Sequence, residues 1–190
     1  MLTLVNDILE YSRLEAGQVA IGWQRVYLHV PMEGACRMVA VFAASRGVNM
    51  EHAHVSRDAA IRGDPVRLKQ VLLNLLTNAI KFTPRGGRVT LGASPTADGQ
   101  VEITVQDTGI GIAASDIRKA LTPFGQIVPG NHGPLEGTGL GLPIAKALVE
   151  RQGGTLTLVS DVGIGTRVSV RMPAFQGPPP RAAVSPPPAC

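Results

Sequence analysis

Aromatic residues make up only 4% of this chain, so any core must be built from aliphatic side chains. Cysteine is scarcer still. Cys36 lies within an apolar helical pattern and Cys190 at the extreme end, a pair that implies no disulfide framework and fits a reducing compartment. No apolar run approaches the length of a membrane span, and acidic Asp7 and Glu10 stand where a secretory leader would be charged and then apolar. Runs of Lys or Arg interleaved with aromatics are absent. With a formal charge of only +4, that counts against a nucleic-acid interface, while leaving enough positive charge to suit a small polyanionic ligand. No Gly-Lys pair occurs anywhere, which removes the P-loop as a phosphate cradle.

What is present is 190 residues with 44% hydrophobic content, enough for one good core with an appended element. Residues 2–16 carry a broad apolar stripe at helical spacing and stop near Ala16-Gly17. Such a helix is marginal alone and suits a bundle, within or between chains; it opens without a cap, as if the element began upstream. Extended pieces follow around residues 19–28, then a helix opened by Pro31 and ended by Gly47, and an alternating strand over 48–55. His52 and His54 share one face of that strand at the spacing of a metal pair, but no third ligand stands near, so an ordinary strand face is the preferred reading. Strands are predicted over 88–94 and 101–106, joined by a turn at Asp98-Gly99, and over 155–160 and 166–172. A short helix near 115–121, a long loop over 122–136 and a helix ended by Gly153-Gly154 lie between them. The Pro-rich stretch from Ala174 onward should be extended or disordered. The pattern predicts an α/β two-layer sandwich: one mixed, mostly antiparallel sheet with helices on one face, preceded by a single helix.

Residues 64–83 are the most informative segment. Asp64 is placed as N-cap and Pro65 at the first helical position, and Leu68, Val71, Leu72, Leu75, Leu76, Ala79 and Ile80 form a wide apolar face. Gln70, Asn74, Asn78 and Lys81 recur at spacings of three and four, giving a second, polar stripe. Asparagine is a poor helix former, so two of them one turn apart lower stability unless a ligand or ion offsets the loss. A solvated helix face is the alternative. Two glycine turns follow. Asp107-Thr108-Gly109-Ile110-Gly111, at a strand end, offers a carboxylate to an exocyclic amine, with glycines clearing space for a flat ring. Its superficial match to a dinucleotide fingerprint fails because a long loop, not a packed helix, comes next. Gly137-Thr138-Gly139-Leu140-Gly141, directly before a helix, presents backbone N–H groups and the positive end of a helix dipole to anionic oxygens.

The order of asparagine helix, carboxylate turn and glycine loop resembles the ATP-binding catalytic domain of bacterial sensor histidine kinases, the Bergerat fold shared with gyrase-type ATPases. Residues 74–83 look like the family's asparagine box, 107–111 its first glycine box, Pro123-Phe124 its phenylalanine box and 136–142 its second glycine box. Residues 2–17 look like the end of the second helix of a dimerisation hairpin. The resemblance implies residues 1–17 as dimerisation helix, 18–173 as ATP-binding domain and 174–190 as a flexible tail. It implies ATP and Mg2+ as cofactors, with Asn78 as metal ligand. Asn74, Lys81, Asp107, Gly109, Gly111, Ile112, Phe124, Gly137, Thr138, Gly139, Leu140, Gly141, Leu142 and Thr166 would join Asn78 around the nucleotide. Ile110 would help wall the base.

The implied activity is that of a cytoplasmic protein-histidine kinase, whether or not its parent is membrane-anchored. Its partners would be the hairpin of the same kinase, as a homodimer, and the receiver domain of a response regulator, with no nucleic acid and no membrane contact by this stretch. Three departures qualify it. Gyrase-type relatives carry a glutamate where Asn74 stands, and an amide cannot act as general base, so slow hydrolysis is expected. Only His29, His52, His54 and His132 are present, none in a His-Glu-x-x-x-Pro setting, so the chain alone is not expected to phosphorylate itself. Residues 125–136, corresponding to the family's ATP lid, contain no Lys or Arg. An ATP-gated interaction module without phosphoryl transfer is the alternative.

Overall fold

A computed structural model describes residues 2–53, 55–126 and 137–177. His54, the loop segment 127–136 with His132, and the stretch 178–190 lie outside the described residues. In chain order the elements are α1 (Leu2–Glu15), β1 (Gln24–Tyr27), α2 (His29–Arg46), β2 (Asn49–His52), β3 (Ala60–Gly63) and α3 (Pro65–Phe82). They continue with β4 (Arg88–Pro95), β5 (Gln100–Asp107), α4 (Ile117–Ala120), α5 (Gly141–Arg151), β6 (Thr155–Asp161) and β7 (Gly165–Pro173).

Five strands form one sheet in the order β2-β4-β5-β7-β6, parallel only between β2 and β4. Period-two alternation decides its faces. Val89, Leu91, Val101, Ile103, Val105, Val168, Val170 and Met172 are buried on one side, whereas Gln106, Arg167 and Arg171 stand exposed on the other. The apolar side receives the helices: α2 lies against β2, α3 against β4 and β5, and α5 against β6. The predicted two-layer mixed sheet is therefore observed.

The helix α3 lies at the centre of that layer, between α2 and α5. Leu68, Val71, Leu72, Leu75, Leu76, Ala79 and Ile80 are all buried, each large one contributing about 1.5–3 kcal/mol relative to exposure. Asp64 starts it. From an extended backbone, Asp64 Oδ1 accepts from the N–H groups of Val66 at 2.9 Å and Arg67 at 3.2 Å. Oδ2 accepts from Gly22 N–H at 2.9 Å, and the Asp64 N–H itself donates to Gln152 Oε1 at 2.8 Å. One buried residue thus ties the segment after α1, the start of α3 and the end of α5.

Local details differ from the sequence reading. The second helix begins at His29, with Pro31 inside its first turn, where a missing N–H costs no intrahelical bond. The strand expected over 48–55 is observed over Asn49–His52; it begins only after Val48, whose N–H is spent on Ala43 O in the left-handed stop at Gly47. β3 was not anticipated. It pairs with β1 in a separate two-stranded sheet, and Ala174 bridges to its Ile61 while Phe175 N–H donates to Ala60 O at 2.8 Å. The Arg25 guanidinium stacks between the rings of Tyr27 and Phe175, at 4.7 and 4.8 Å, so order continues past Pro173.

Tyr11 and Leu14 of α1 pack on the core, and Arg151 donates to Leu14 O and Gly17 O at 3.0 Å each. Leu4, Val5, Ile8 and Leu9 stay 38–51% exposed. Among the described residues nothing covers that stripe.

Replacing Asp64 by alanine removes the acceptor for three N–H groups, and should cost about 2 kcal/mol or more. Urea unfolding of the variant against wild type measures it; a loss under about 0.5 kcal/mol would contradict the role given to this carboxylate.

Candidate functional site

The polar stripe of α3 divides between two neighbours. Gln70 does not reach the glycine loops: it donates to Glu10 of α1 and accepts from Arg67 at 3.2 Å. Asn74 and Asn78 are half-buried, and their side chains hold no hydrogen bond among the described residues. Asn78 faces the start of α5. A Cβ placed on Gly141 would sit 3.4 Å from Asn78 Nδ2, and one on Gly137 would sit 2.7 Å from Lys81 Nζ. The glycine loop therefore approaches Asn78 and Lys81 of the polar stripe by backbone alone.

The loop is held by its own polar contacts. Thr138 Oγ1 accepts from Leu140 N–H at 3.2 Å and donates to Asp7 Oδ2 at 2.9 Å, while Gln126 Nε2 donates to Gly137 O at 2.8 Å. Leu140 is fully buried and Leu142 packs on the core, so only the backbone of Leu140 is available to a ligand. The N-terminus of α5 has no side-chain cap, which leaves the first-turn N–H groups to other acceptors. Phe124 lies beneath Gly139, with φ at 60° and its side chain exposed; a left-handed backbone at a bulky residue is strained by about 1–2 kcal/mol.

Asp107 ends β5 on the opposite side of the site and is 8% exposed. Gly109 N–H and Thr166 N–H both donate to its Oδ1, at 2.8 and 3.1 Å. Its Oδ2 holds no hydrogen bond among the described residues. Burial pushes the carboxyl pKa upward, partly opposed by those two N–H donors. The turn around it is stitched on both sides: Ile110 N–H donates to Phe82 O at 3.1 Å, Gly163 N–H to Ile110 O at 2.8 Å, and Ile112 N–H to Ser160 Oγ at 2.8 Å. Ile110 and Ile112 are half-buried beside it.

The glycines of this turn were expected to clear room for a ring. Their nearest neighbours are instead the protein's own atoms. A Cβ on Gly111, where φ is +69°, would fall 1.9 Å from Asp161 O, and one on Gly109 would fall 2.6 Å from Phe82 O. Gly165 is similarly confined, 2.1 Å from Asp107 O. These positions let the β6–β7 turn and the end of α3 close on Asp107. Ser160 escaped the sequence reading altogether, although it bonds Ile112 N–H, Gly165 O at 3.0 Å and Thr166 Oγ1 at 2.8 Å. One serine in a strand carries no signal of its own. Asp7 was missed for the same reason.

The sequence positions singled out on separate segments meet along one helix: the loop before α5 approaches Asn78 and Lys81 of α3, and the turn that follows Asp107 is bonded to Phe82 at the end of the same helix. A helix layer on a mixed sheet, with a glycine loop brought against its central helix, is the build of an ATPase-type α/β domain. The family model for histidine kinase-, DNA gyrase B-, and HSP90-like ATPases matches residues 63–176, and the chain belongs to that family.

Among curated relatives, histidine protein kinase DivJ of Caulobacter vibrioides is 36% identical over 187 residues, covering 98% of this chain and 31% of DivJ. Virulence sensor protein BvgS of Bordetella bronchiseptica is 40% identical over 195 residues, covering 96% of this chain and 16% of BvgS. The chain therefore spans a third or less of these relatives' length. Full-length ShkA, solved in complex with AMPPNP, has a TM-score of 0.80 at 31% identity, covering 91% of this chain and 35% of ShkA. The nucleotide-free catalytic domain of histidine kinase ThkA, at 21% identity and a TM-score of 0.67, shares the fold across 80% of this chain and 95% of its own.

A carboxyl whose pKa rises on folding favours the native state most at low pH, below the unfolded value of 3.8, and that contribution is lost as pH climbs through the raised native value. Asp107→Asn removes this loss. In nucleotide-free protein its stability relative to wild type should increase with pH over that window and then level off; a difference that stays flat from acid to neutral pH would refute the assignment.

Proposed function

We propose that this chain is the ATP-binding catalytic portion of a two-component sensor histidine kinase. The observation that carries the proposal is buried Asp107, whose Oδ2 holds no hydrogen bond among the described residues, on a turn bonded to the end of the helix whose Asn78 and Lys81 a glycine loop approaches by backbone alone. A carboxylate whose Oδ1 is fixed by two N–H groups presents Oδ2 to one further donor. The exocyclic amine of adenine is such a donor. Half-buried Ile110 and Ile112 provide apolar surface for the base, and Thr166 fixes the carboxylate through its N–H.

The triphosphate belongs between α3 and the loop 137–141. Peptide N–H groups at the start of α5 and the Lys81 ammonium offset its charge. Asn78, whose side chain holds no hydrogen bond among the described residues, would be the residue to hold Mg2+, a hard ion that takes few protein oxygens. No cluster of three His, Cys, Asp or Glu side chains exists among the described residues, so phosphate oxygens and water would complete its shell. Bound there, Mg2+ supplies neutralisation of the charge that develops on the transferred group.

Asn74 occupies the place one turn before Asn78. An amide cannot take a proton from water near neutral pH, so ATP is held rather than hydrolysed. The γ-phosphoryl group then passes to an imidazole nitrogen brought to it, as the bond to the β-phosphate oxygen breaks and ADP leaves. None of this chain's histidines lies on α1: His29 begins α2 and His52 ends β2. The acceptor is therefore sought on a dimerisation hairpin, for which the exposed Leu4, Val5, Ile8 and Leu9 of α1 provide the apolar seam in a homodimer, and a response-regulator receiver domain takes the phosphoryl group next. None of the described helices is long and apolar enough to cross a membrane, which is compatible with work in the cytoplasm.

A second reading, an ATP-gated interaction module without transfer, is favoured by the histidines' positions. Mixing the chain with Mg2+, γ-labelled ATP and a separately expressed hairpin bearing an acceptor histidine separates the two. Label on the hairpin is expected; nucleotide binding without label across varied conditions would leave the interaction module standing. Asn78→Ala should abolish the Mg2+-dependent part of ATP affinity, and Asp107→Asn should weaken ATP at least about tenfold by facing the adenine amine with a donor. Calorimetric titration reads both, and unchanged affinities would remove the assigned roles.

A further inference from the structure

One contact at the glycine loop is not explained by nucleotide binding. Thr138 sits in the loop that approaches the amides of α3, yet its hydroxyl proton goes to Asp7 of α1, 131 residues away in sequence, at 2.9 Å. The same oxygen accepts from Leu140 N–H, so Thr138 fixes the loop and the helix together. Asp7 is half-buried there. The contact brings a carboxylate to a loop whose other features attract anions: the uncapped start of α5 and the Lys81 ammonium beside Gly137.

The rest of α1 is seated by separate ties. Glu10 pairs with Arg67 at 3.1 Å and accepts from Gln70, and Arg151 holds the last carbonyls of the helix and its exit. Asp7 is therefore not needed merely to attach the helix. Its particular effect is to place negative charge at the edge of the space assigned to the phosphates, and to take the Thr138 hydroxyl that a phosphate oxygen would otherwise accept from.

We infer that Asp7 is an intramolecular competitor of the nucleotide's phosphates: seating of α1 through Asp7 and occupation of the loop by a polyphosphate oppose each other. This rests on the nucleotide reading of the site. Like charges at the loop repel, and one hydroxyl proton cannot serve both acceptors. Coupling of this kind is reciprocal, so ATP loosens the N-terminal part of α1 by the same factor that seated α1 weakens ATP. A change in how α1 is held, imposed from elsewhere, is thereby converted into a change in nucleotide affinity.

Asp7→Asn isolates the charge, because the amide oxygen still accepts from Thr138. Affinities for MgATP, MgADP and adenosine are measured by calorimetry on the whole chain, wild type and variant, at low and high salt. ATP should tighten about three- to tenfold at low salt and less at high salt, ADP should tighten less than ATP, and adenosine should not change. Glu10→Gln removes another α1 carboxylate that faces Arg67 instead of the loop, and should treat ATP and adenosine alike. Hydrogen exchange on wild type should show residues 4–12 exchanging faster with saturating ATP than with adenosine. ATP affinity that is unchanged or weaker in Asp7→Asn overturns the inference, as does equal tightening of adenosine. Failure of every form to bind ATP would overturn the nucleotide reading itself, a result distinguishable from the other two.

Discussion

One helix has to satisfy two unlike neighbours at once, and the rest of the domain follows from that demand. On one side α3 seats seven apolar residues in a layer shared with α2, α5 and the sheet. On another it leaves Asn74 and Asn78 without hydrogen bonds among the described residues, where a helix normally prefers charged side chains or alanine. The apolar face outweighs that local cost by a wide margin. Burial of several leucines and an isoleucine is worth about 1.5–3 kcal/mol each, against a few tenths for each asparagine. The helix is thus rigid enough to hold amides at fixed positions that they would not choose for themselves.

Asp107 is a second instance of the same arrangement. A carboxylate this buried is held against its desolvation cost, and among the described residues two backbone N–H groups offset it. Both N–H groups come from turns that close on it only because Gly111 and Gly165 have no side chain, with backbone oxygens within 2.1 Å of where a Cβ would be. The glycines therefore act through the protein first. They let the turns before α4 and between β6 and β7 meet, and that meeting leaves one carboxylate oxygen fixed and the other open.

The features legible in the sequence are those with a local cause. The Asp64 cap, the seven apolar positions of α3, the Gly47 stop and the hairpin at Asp98-Gly99 are each written within a few residues, and each is found where it was expected. The convergence of Asn78, Lys81, Gly137 and Gly141 was read from an order of motifs and not from any local pattern. What escaped depends on partners far along the chain. β3 is four residues, Ala-Ile-Arg-Gly, with a single large apolar side chain and no alternation to count; it is a strand because β1 and Ala174 lie on either side of it. Gln70 has the same spacing as Asn74 and Asn78, yet Glu10 of α1 claims it. Spacing places a residue on a helix face, but the neighbour across that face decides its use.

The same division bears on how a domain of this kind can hold ATP without wasting it. In the proposed site a hydrolytic base would stand one turn before Asn78, and Asn74 is not one. Nothing in the fold demands an amide there: Asn74 is half-buried with no hydrogen bond among the described residues, so a glutamate would fit the helix as well. The choice of amide is therefore chemical. Under the proposed function it would withhold water activation from the phosphates and leave the timing of transfer to whatever presents the acceptor. Asp7, on the helix leading into the domain, is placed to report how that helix is seated at the phosphate loop itself. Affinity and transfer would then both answer to α1, one through the charge of Asp7 and the other through delivery of the acceptor on the hairpin to which this helix is assigned.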